Sequence, residues 1–251
     1  MYQKERLDEI LKLVKENGYV TVKYLTNALH YSNATVNRDL NHLESQGLIT
    51  RTYGGVEAKE DTGVKLPFRY HKMKAEKRKI GERAASFVRD GETIFIDGST
   101  TGEYMAEFLA GKKDLTVVTN NMTLAIRLSE YGISVYCLGG KVVEPPSMLD
   151  GVDTVASAAR HKAHKMFFST GFVTEDGKIG TAETYYLMHQ TMVENSEEVY
   201  FLADHEKADN VLPKRFNRIL FDLSKVRCVI SGHEFSEETK RKFPNTLFEK
   251  V

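Results

Sequence analysis

The sequence predicts an α/β protein in two parts: a small N-terminal domain of three helices and a β-hairpin, then a larger domain on a mainly parallel sheet. Three observations carry this. Apolar residues recur at helical spacing through the first 56 residues and then give way to a hairpin pattern. Beyond Asp90-Gly91, short β-rich runs alternate with helical stretches, which is the pattern of a parallel sheet covered by helices. Charge is also segregated. Residues 1–89 hold 17 Lys/Arg against 11 Asp/Glu and residues 90–251 hold 18 against 24, within a chain of zero net charge.

In the first part, Leu7, Ile10, Leu11 and Val14 recur at i, i+3, i+4 and i+7, one face of an amphipathic helix. Gly18 ends it, where a left-handed cap needs a residue without Cβ. Thr21 caps a second helix that turns Val22, Leu25 and Leu29 inward. After the turn His30-Tyr31, Ser32 caps a third helix with Val36, Leu40 and Leu43 inward, and Gly47 stops it. Leu48 to Val56 reads as two short strands around a turn. Three short helices and a hairpin describe a winged helix-turn-helix.

The third helix exposes Asn33, Ala34, Asn37, Arg38 and Asn41. Short polar side chains near the N-terminus of such a helix reach base edges, Asn pairing with adenine and Arg with guanine or phosphate. Ser32 and Thr35 are placed to bond phosphate oxygens, and Arg51 and Tyr53 lie in the wing, within reach of the DNA backbone. The predicted DNA-binding set is therefore Ser32, Asn33, Thr35, Asn37, Arg38, Asn41, Arg51 and Tyr53. Residues 1–59 carry only 8 basic against 7 acidic side chains, a weak footprint for one copy that a homodimer or homotetramer would multiply. A small helical domain that binds protein is the alternative reading of this pattern alone.

Domain limits are expected at 1–58 for the winged domain, 59–73 for a polar linker and 74–251 for the larger domain. Lys65 to Arg89 holds nine basic residues against Glu76 and Glu82, and its Lys74–Lys79 cluster is a second candidate for phosphate contact. Strands are expected at Thr93–Ile96, Leu115–Thr119, Ser134–Leu138, Met166–Ser169, Val199–Ala203 and Cys228–Ile230. Helices are expected at Thr101–Leu109, Met122–Tyr131, Asp153–His164 and Ala182–Asn195. Four strand ends are polar or glycine-rich: Asp97-Gly98-Ser99-Thr100-Thr101, Asn120-Asn121, Gly139-Gly140, and Asp204 with Lys207. Ligands of open parallel sheets bind at the carboxyl ends of strands, so these ends suggest one crevice for a small phosphorylated polyol. Each residue also has a plainer role open to it: Asp97 as cap of its own turn, Asn120 as turn stabiliser, Asp204 and Lys207 as surface charges.

The composition sets limits. Forty-one per cent hydrophobic and 28 per cent charged residues suit a globular chain. No run of 18 apolar residues occurs, and Met1 to Arg6 lacks a signal peptide's apolar core, so a cytoplasmic protein without a membrane span is expected. Cys137 and Cys228 stand alone in apolar runs, which predicts buried free thiols. Asp204-His205 with Asp209 lacks the spacing of a ligand set, and His161 and His164 read as helix decoration, so neither metal nor cofactor is expected.

Two sets of motifs together resemble the DeoR family of bacterial regulators, mostly repressors of sugar catabolism. The first is Ser32-Asn33-Ala34-Thr35-Val36-Asn37-Arg38-Asp39-Leu40, followed by Gly47-Leu48-Ile49 and Arg51-Thr52-Tyr53-Gly54-Gly55. The second is Glu76-Lys77-Arg78-Lys79-Ile80-Gly81, Ile96-Asp97-Gly98-Ser99-Thr100-Thr101, Leu115 to Asn121, Leu138-Gly139-Gly140 and Leu202 to Lys207. The resemblance spans roughly residues 1–230. It implies a sensor domain similar in fold to sugar-phosphate isomerases, a double-stranded DNA operator as partner and a phosphorylated sugar or related anion as effector. It also implies a structural role for Asp39. The chain departs from the family pattern at several points. Asn37-Arg38 replaces a pair of arginines, Ser169-Thr170-Gly171-Phe172 lacks an acid, His189 stands where a Lys is usual, and Glu206 to Asp209 adds negative charge.

The predicted effector site is Asp97, Gly98, Ser99, Thr100, Thr101, Asn120, Asn121, Gly139, Gly140, Lys165, Asp204 and Lys207. An isomerase with an accessory DNA-binding domain is the alternative, with Asp97, Asp204, Lys165 and Lys207 as candidates for proton transfer and carbonyl polarisation. The acid missing from the Ser169–Phe172 turn counts against turnover, and fold similarity does not supply activity. A scaffold or protein-binding module is a third possibility. The expectation is a non-enzymatic transcriptional regulator.

Overall fold

The computed structural model describes residues 3–52, 54–58, 69, 71–144, 148–208 and 218–251. The chain forms two compact units, Met1–Lys74 and Ala75–Val251. The expected linker 59–73 falls largely outside the described residues.

The first unit contains α1 (Gln3–Asn17), β1 (Tyr19–Thr21), α2 (Val22–Leu29), α3 (Asn33–Ser45), β2 (Ile49–Thr52) and β3 (Gly55–Ala58). The caps fall where the side chains can make them: Thr21 accepts from the Tyr24 N–H and Ser32 from the Thr35 N–H. Ile10, Val14, Leu25, Val36, Leu40 and Leu43 meet in one core with Tyr19, Ile49 and Val56. Asp39 is fully buried, and the Arg6 guanidinium holds it through two hydrogen bonds that join α3 to α1. The wing is a three-stranded antiparallel sheet, β1-β3-β2. Sequence patterning missed β1, because three residues are too few for a period. Gly55 is required there, since a Cβ would lie 2.4 Å from the Val20 carbonyl oxygen.

The second unit begins with α4 (Lys74–Ala85, its first residue at the boundary). Then follow β4 (Thr93–Ile96), α5 (Thr100–Glu103), α6 (Ala106–Leu109), β5 (Thr116–Thr119), α7 (Met122–Glu130), β6 (Ser134–Cys137), β7 (Lys141–Glu144) and β8 (Met148–Asp150). The chain continues through α8 (Val152–Ala158), β9 (Ala163–Phe168), β10 (Phe172–Val173), β11 (Lys178–Thr181), α9 (Glu183–Glu194) and β12 (Ser196–Ala203). It closes with β13 (Arg218–Asp222), β14 (Cys228–Ser231), α10 (Glu237–Lys242) and β15 (Leu247–Lys250).

Seven strands form one sheet in the order β15-β14-β12-β9-β4-β5-β6, with every neighbouring pair parallel. Burial on both faces explains why these strands read as continuous apolar runs. One face packs Ile94, Ile96 and Val117 against α4, α6 and α7 through Ile80, Ala106 and Leu124. The other packs Phe95, Met166, Phe168 and Phe201 against α8 and α9 through Ala158, Met188 and Met192. Two antiparallel additions, β10-β11-β13 and the β7-β8 pair, went unread in the sequence, because their strands are short or paired far along the chain.

Three expectations are corrected. The helix read over Asp153–His164 ends at Ala158, and His164 lies in β9. Ala163 to Phe168 is the central strand between β4 and β12, and that pairing decides its conformation. The helix read over Thr101–Leu109 is two single-turn helices. Cys137 is exposed, because β6 is the edge of the sheet, whereas Cys228 is buried and its thiol is pushed up to about 12 by that burial.

Candidate functional site

On the first unit, α3 presents the predicted reading face. Asn33, Arg38 and Asn41 are exposed. Among the described residues Arg38 has no hydrogen-bond or ion-pair partner, which leaves a guanidinium available on the helix surface. Asn37 donates to the Asn33 carbonyl at 2.9 Å. Arg51 reaches from β2 to the Asn41 and Asn37 side-chain oxygens, each at 2.6 Å, so wing and helix form one polar network. Ser32 and Thr35 hydroxyls lie 2.9 Å apart at the start of α3. Tyr53 lies outside the described residues. Lys77, from the cluster read as a second phosphate contact, is buried and pairs with Asp204 at 3.7 Å; it is withdrawn from that role.

In the second unit, strand order reverses between β4 and β9, and a parallel sheet opens a crevice at such a switch point. Asp97 bridges it. Its Oδ1 accepts from the Ser99 N–H at 3.2 Å and the Ser99 hydroxyl at 2.5 Å, while Oδ2 accepts from the Ser169 N–H at 3.2 Å. His189 of α9 places Nε2 at 3.3 Å from Asp97 Oδ2, and its Nδ1 lies 3.1 Å from the Thr181 hydroxyl. All three of Asp97, His189 and Thr181 are buried. Sequence reading marked His189 only as a departure and gave Thr181 no role; neither has a local pattern that would reveal the contact.

Around this centre lie several of the predicted residues. Ser99 is occupied as the cap of α5, accepting from the Gly102 N–H. Thr100 and Thr101 are buried, and among the described residues the Thr101 hydroxyl oxygen has no hydrogen-bond partner. Asn120 donates to the Leu149 carbonyl at 2.8 Å, but its Oδ1 too has no partner among the described residues. Asn121 is spent on the fold: it caps α7 and donates to Glu103 at 3.3 Å. Gly98 lies under Met148 of β8, where a Cβ would come within 2.4 Å of the sulfur. Gly140, at φ +149°, allows α8 to approach, since a Cβ would lie 1.8 Å from the Thr154 hydroxyl. That Thr154 hydroxyl is a third buried oxygen without a partner among the described residues, and Gly139 has open space beside it.

At the neighbouring end of β12, Lys207 donates to the Thr170 carbonyl at 2.6 Å, in the turn that lacks the family's acid. Asp204 is buried against Lys77. Glu76 accepts from the His205 N–H at 2.7 Å and lies 2.8 Å from its ring nitrogen. Burial works against the His205 cation, but the Glu76 carboxylate outweighs it and raises the imidazole above its ordinary value.

Lys165 is elsewhere. It sits beside Ile94 and Glu198, toward the amino ends of the strands, in a buried ion pair with Glu92. The structure therefore does not bring Lys165 together with the other predicted residues; the strand expected to start at Met166 begins at Ala163 and carries Lys165 in its amino half. Among the described residues, no cluster of three His, Cys, Asp or Glu is placed to hold a metal ion, and no helix is long and apolar enough to cross a membrane.

A winged helix-turn-helix unit, followed in the chain by an α/β unit with buried polar side chains at the carboxyl ends of its sheet, defines a DNA-binding regulator. Comparison with known proteins agrees. Residues 6–62 match the DeoR-like helix-turn-helix domain and residues 72–233 the DeoR C-terminal sensor domain. The chain belongs to the DeoR family of transcriptional regulators. It is 33% identical over 210 residues to the HTH-type transcriptional repressor GlcR of Bacillus subtilis, covering 82% of this chain and 81% of that one. It is 34% identical over 215 residues to the lactose phosphotransferase system repressor of Staphylococcus aureus, covering 82% and 84%. Among solved structures, ribose 5-phosphate isomerase A from Neisseria gonorrhoeae matches 54% of each chain at 20% identity and a TM-score of 0.41.

Proposed function

We propose that this regulator is a repressor of carbohydrate-metabolism genes whose operator affinity is set by a phosphorylated sugar or related anion. What supports this reading is three buried side-chain oxygens, on Thr101, Asn120 and Thr154, that have no hydrogen-bond partner among the described residues, on segments that follow the carboxyl ends of β4, β5 and β8. Leaving such groups unpaired costs about 1–3 kcal/mol each, and a polyol returns the missing bonds. Lys207, whose ammonium donates to the Thr170 carbonyl, supplies positive charge for an anionic group. Asp97 and His189 offer an acceptor and a ring nitrogen to hydroxyls at the other side.

Ser32, Thr35 and Arg51 position the winged unit on phosphates, and Asn33, Asn37, Asn41 and Arg38 read bases. A dimer or tetramer places paired reading helices on two half-sites. The effector shifts operator affinity by its differential binding to two arrangements of the protein, on the order of 1–3 kcal/mol. The reading is non-enzymatic: Lys165, one candidate for proton transfer, is closed in a pair with Glu92 away from the crevice.

A thermal-shift screen of phosphorylated sugars tests the effector, since a ligand of the native state raises Tm. Arg38→Ala should weaken operator binding by roughly 5- to 150-fold, the loss of one base-reading arginine, while the effector-induced Tm rise stays unchanged. Unchanged DNA affinity would remove α3 from the reading role. Turnover of a sugar phosphate at ordinary enzyme rates would overturn the non-enzymatic reading.

A further inference from the structure

One arginine ties the wing to the reading helix of the first unit. Arg51 of β2 donates from Nη1 to Asn41 Oδ1 and from Nη2 to Asn37 Oδ1, both at 2.6 Å. Its backbone N–H donates to the Glu44 carboxylate at 3.1 Å, a second tie between β2 and α3. A guanidinium has donors and no acceptor, so each amide turns its oxygen, and not its nitrogen, toward Arg51. Asn37 passes this constraint on. Its Nδ2 donates to the Asn33 carbonyl at 2.9 Å and also to the Asn33 side-chain oxygen, which takes both of its protons. Asn37 is therefore held on both sides, and it is half-buried where Asn33 and Asn41 are exposed. Asn33 and Asn41 have their oxygens turned to partners on the protein, while their amino groups have no hydrogen-bond partner among the described residues.

We propose that Arg51 is a positioning residue for base recognition: it turns the amides of α3 so that the reading face offers donors only, and the face selects a G·C pair over an A·T pair. This rests on the base-reading role given to α3 above. The groups on offer are the amino groups of Asn33 and Asn41 and the guanidinium of Arg38. The major-groove edge of guanine carries two adjacent acceptors, N7 and O6, which a set of donors matches. Adenine has an amino group in place of O6 and needs an acceptor opposite it. A free asparagine supplies that acceptor, which is why the sequence alone suggested adenine. Here the oxygen faces a cation, and the donor edge is what remains. Asn37 then contributes to base choice through Asn33 and not by its own contact. The N–H groups of Arg51 beyond these two bonds stay available for a phosphate, so positioning and backbone contact are compatible in one side chain. The sequence hid this because Arg51 lies 14 positions from Asn37 and 10 from Asn41, on a different element.

Selection of the full chain against a library of randomised DNA duplexes tests this. Asn41→Ala locates the base pair that Asn41 contacts, as the position whose preference disappears. At that position the native chain should select G·C over A·T by about tenfold or more, the discrimination of one good two-point match. Arg51→Lys keeps the charge, but one ammonium does not span two amides as the planar fork does. It should leave the salt dependence of DNA binding unchanged and reduce the G·C preference to within about twofold. An A·T pair selected by the native chain at the Asn41 position would overturn the proposal, and so would an Arg51→Lys chain that keeps the full preference. Arg51 would then be a phosphate contact alone. The native selection decides the matter by itself if Arg51→Lys folds poorly. A native chain that enriches no sequence, or a selection that Asn41→Ala leaves unchanged, would remove the reading face itself and this proposal with it, whereas an A·T result would remove only the proposal.

Discussion

The two ends of the seven-stranded sheet are built from the same strands and treat polar groups in opposite ways. At the amino ends, Glu92 and Lys165 are buried and satisfy each other, and Glu92 also accepts from the Arg89 N–H at 2.9 Å. At the carboxyl ends, oxygens of Thr101, Asn120 and Thr154 are buried and have no partner among the described residues. A closed ion pair holds a fold together, whereas open hydrogen-bonding capacity lowers stability and waits for a ligand. Being buried and charged therefore does not mark a residue as functional; what its partners leave unmet does.

The largest test breaks the closed end. Lys165→Met should cost about 3 kcal/mol, read by urea unfolding, because it strands the Glu92 carboxylate. Effector binding should not change; a loss of binding in a folded variant would return Lys165 to the site. Burial opposes the Glu92 carboxylate, but the Arg89 N–H and Lys165 outweigh it and hold it below the usual range. Its contribution is therefore present above the ordinary glutamate range and fades as pH falls through the lowered value. Lys165→Met should flatten that acid limb.

Gly140→Ala comes next, at about 2 kcal/mol, since a methyl group meets Thr154 and the backbone is at positive φ. Thr101→Val sharpens the comparison most. Removing a buried, unpartnered hydroxyl should leave Tm unchanged or raised, while effector affinity falls about tenfold, the loss of one hydrogen bond. A fall in both would make Thr101 an ordinary structural residue. The smallest effect is at His205, half exposed beside Glu76. Its raised value means its contribution is complete below about pH 6.5 and is lost as pH rises through the folded-state value. His205→Gln should remove that dependence, worth well under about 1 kcal/mol after solvent screening.

The sequence revealed what rests on local spacing. Leu7 to Val14, the Ser32 cap and the run Thr93–Ile96 each carry their structure within a few residues, and Asp97 follows as the residue at a strand end. What it concealed depends on partners far along the chain. His189 reaches Asp97 across 92 positions, and Lys77 reaches Asp204 only after α4 is laid beside the end of β12. Lys165 was named for its chemistry alone, and its partner Glu92, 73 positions earlier, takes it up before the strand reaches its carboxyl end. Asn121 belonged to the right turn, yet its side chain is consumed by the helix it starts.

The order of the strands has a consequence for how the chain comes to be folded. β4 pairs with β9, joining Ile94 to Lys165, so the centre of the sheet cannot form until a long stretch of chain has been made and looped back. The wing closes within the first 58 residues, with β1 against β3 and β2 against β3. Contacts so close in sequence form fast, and distant parallel pairings form slowly. During synthesis, which runs from the N-terminus, the DNA-reading unit should be complete while the sensor is still an open chain. Refolding should accordingly show two phases, with the slower belonging to the crevice and its sheet.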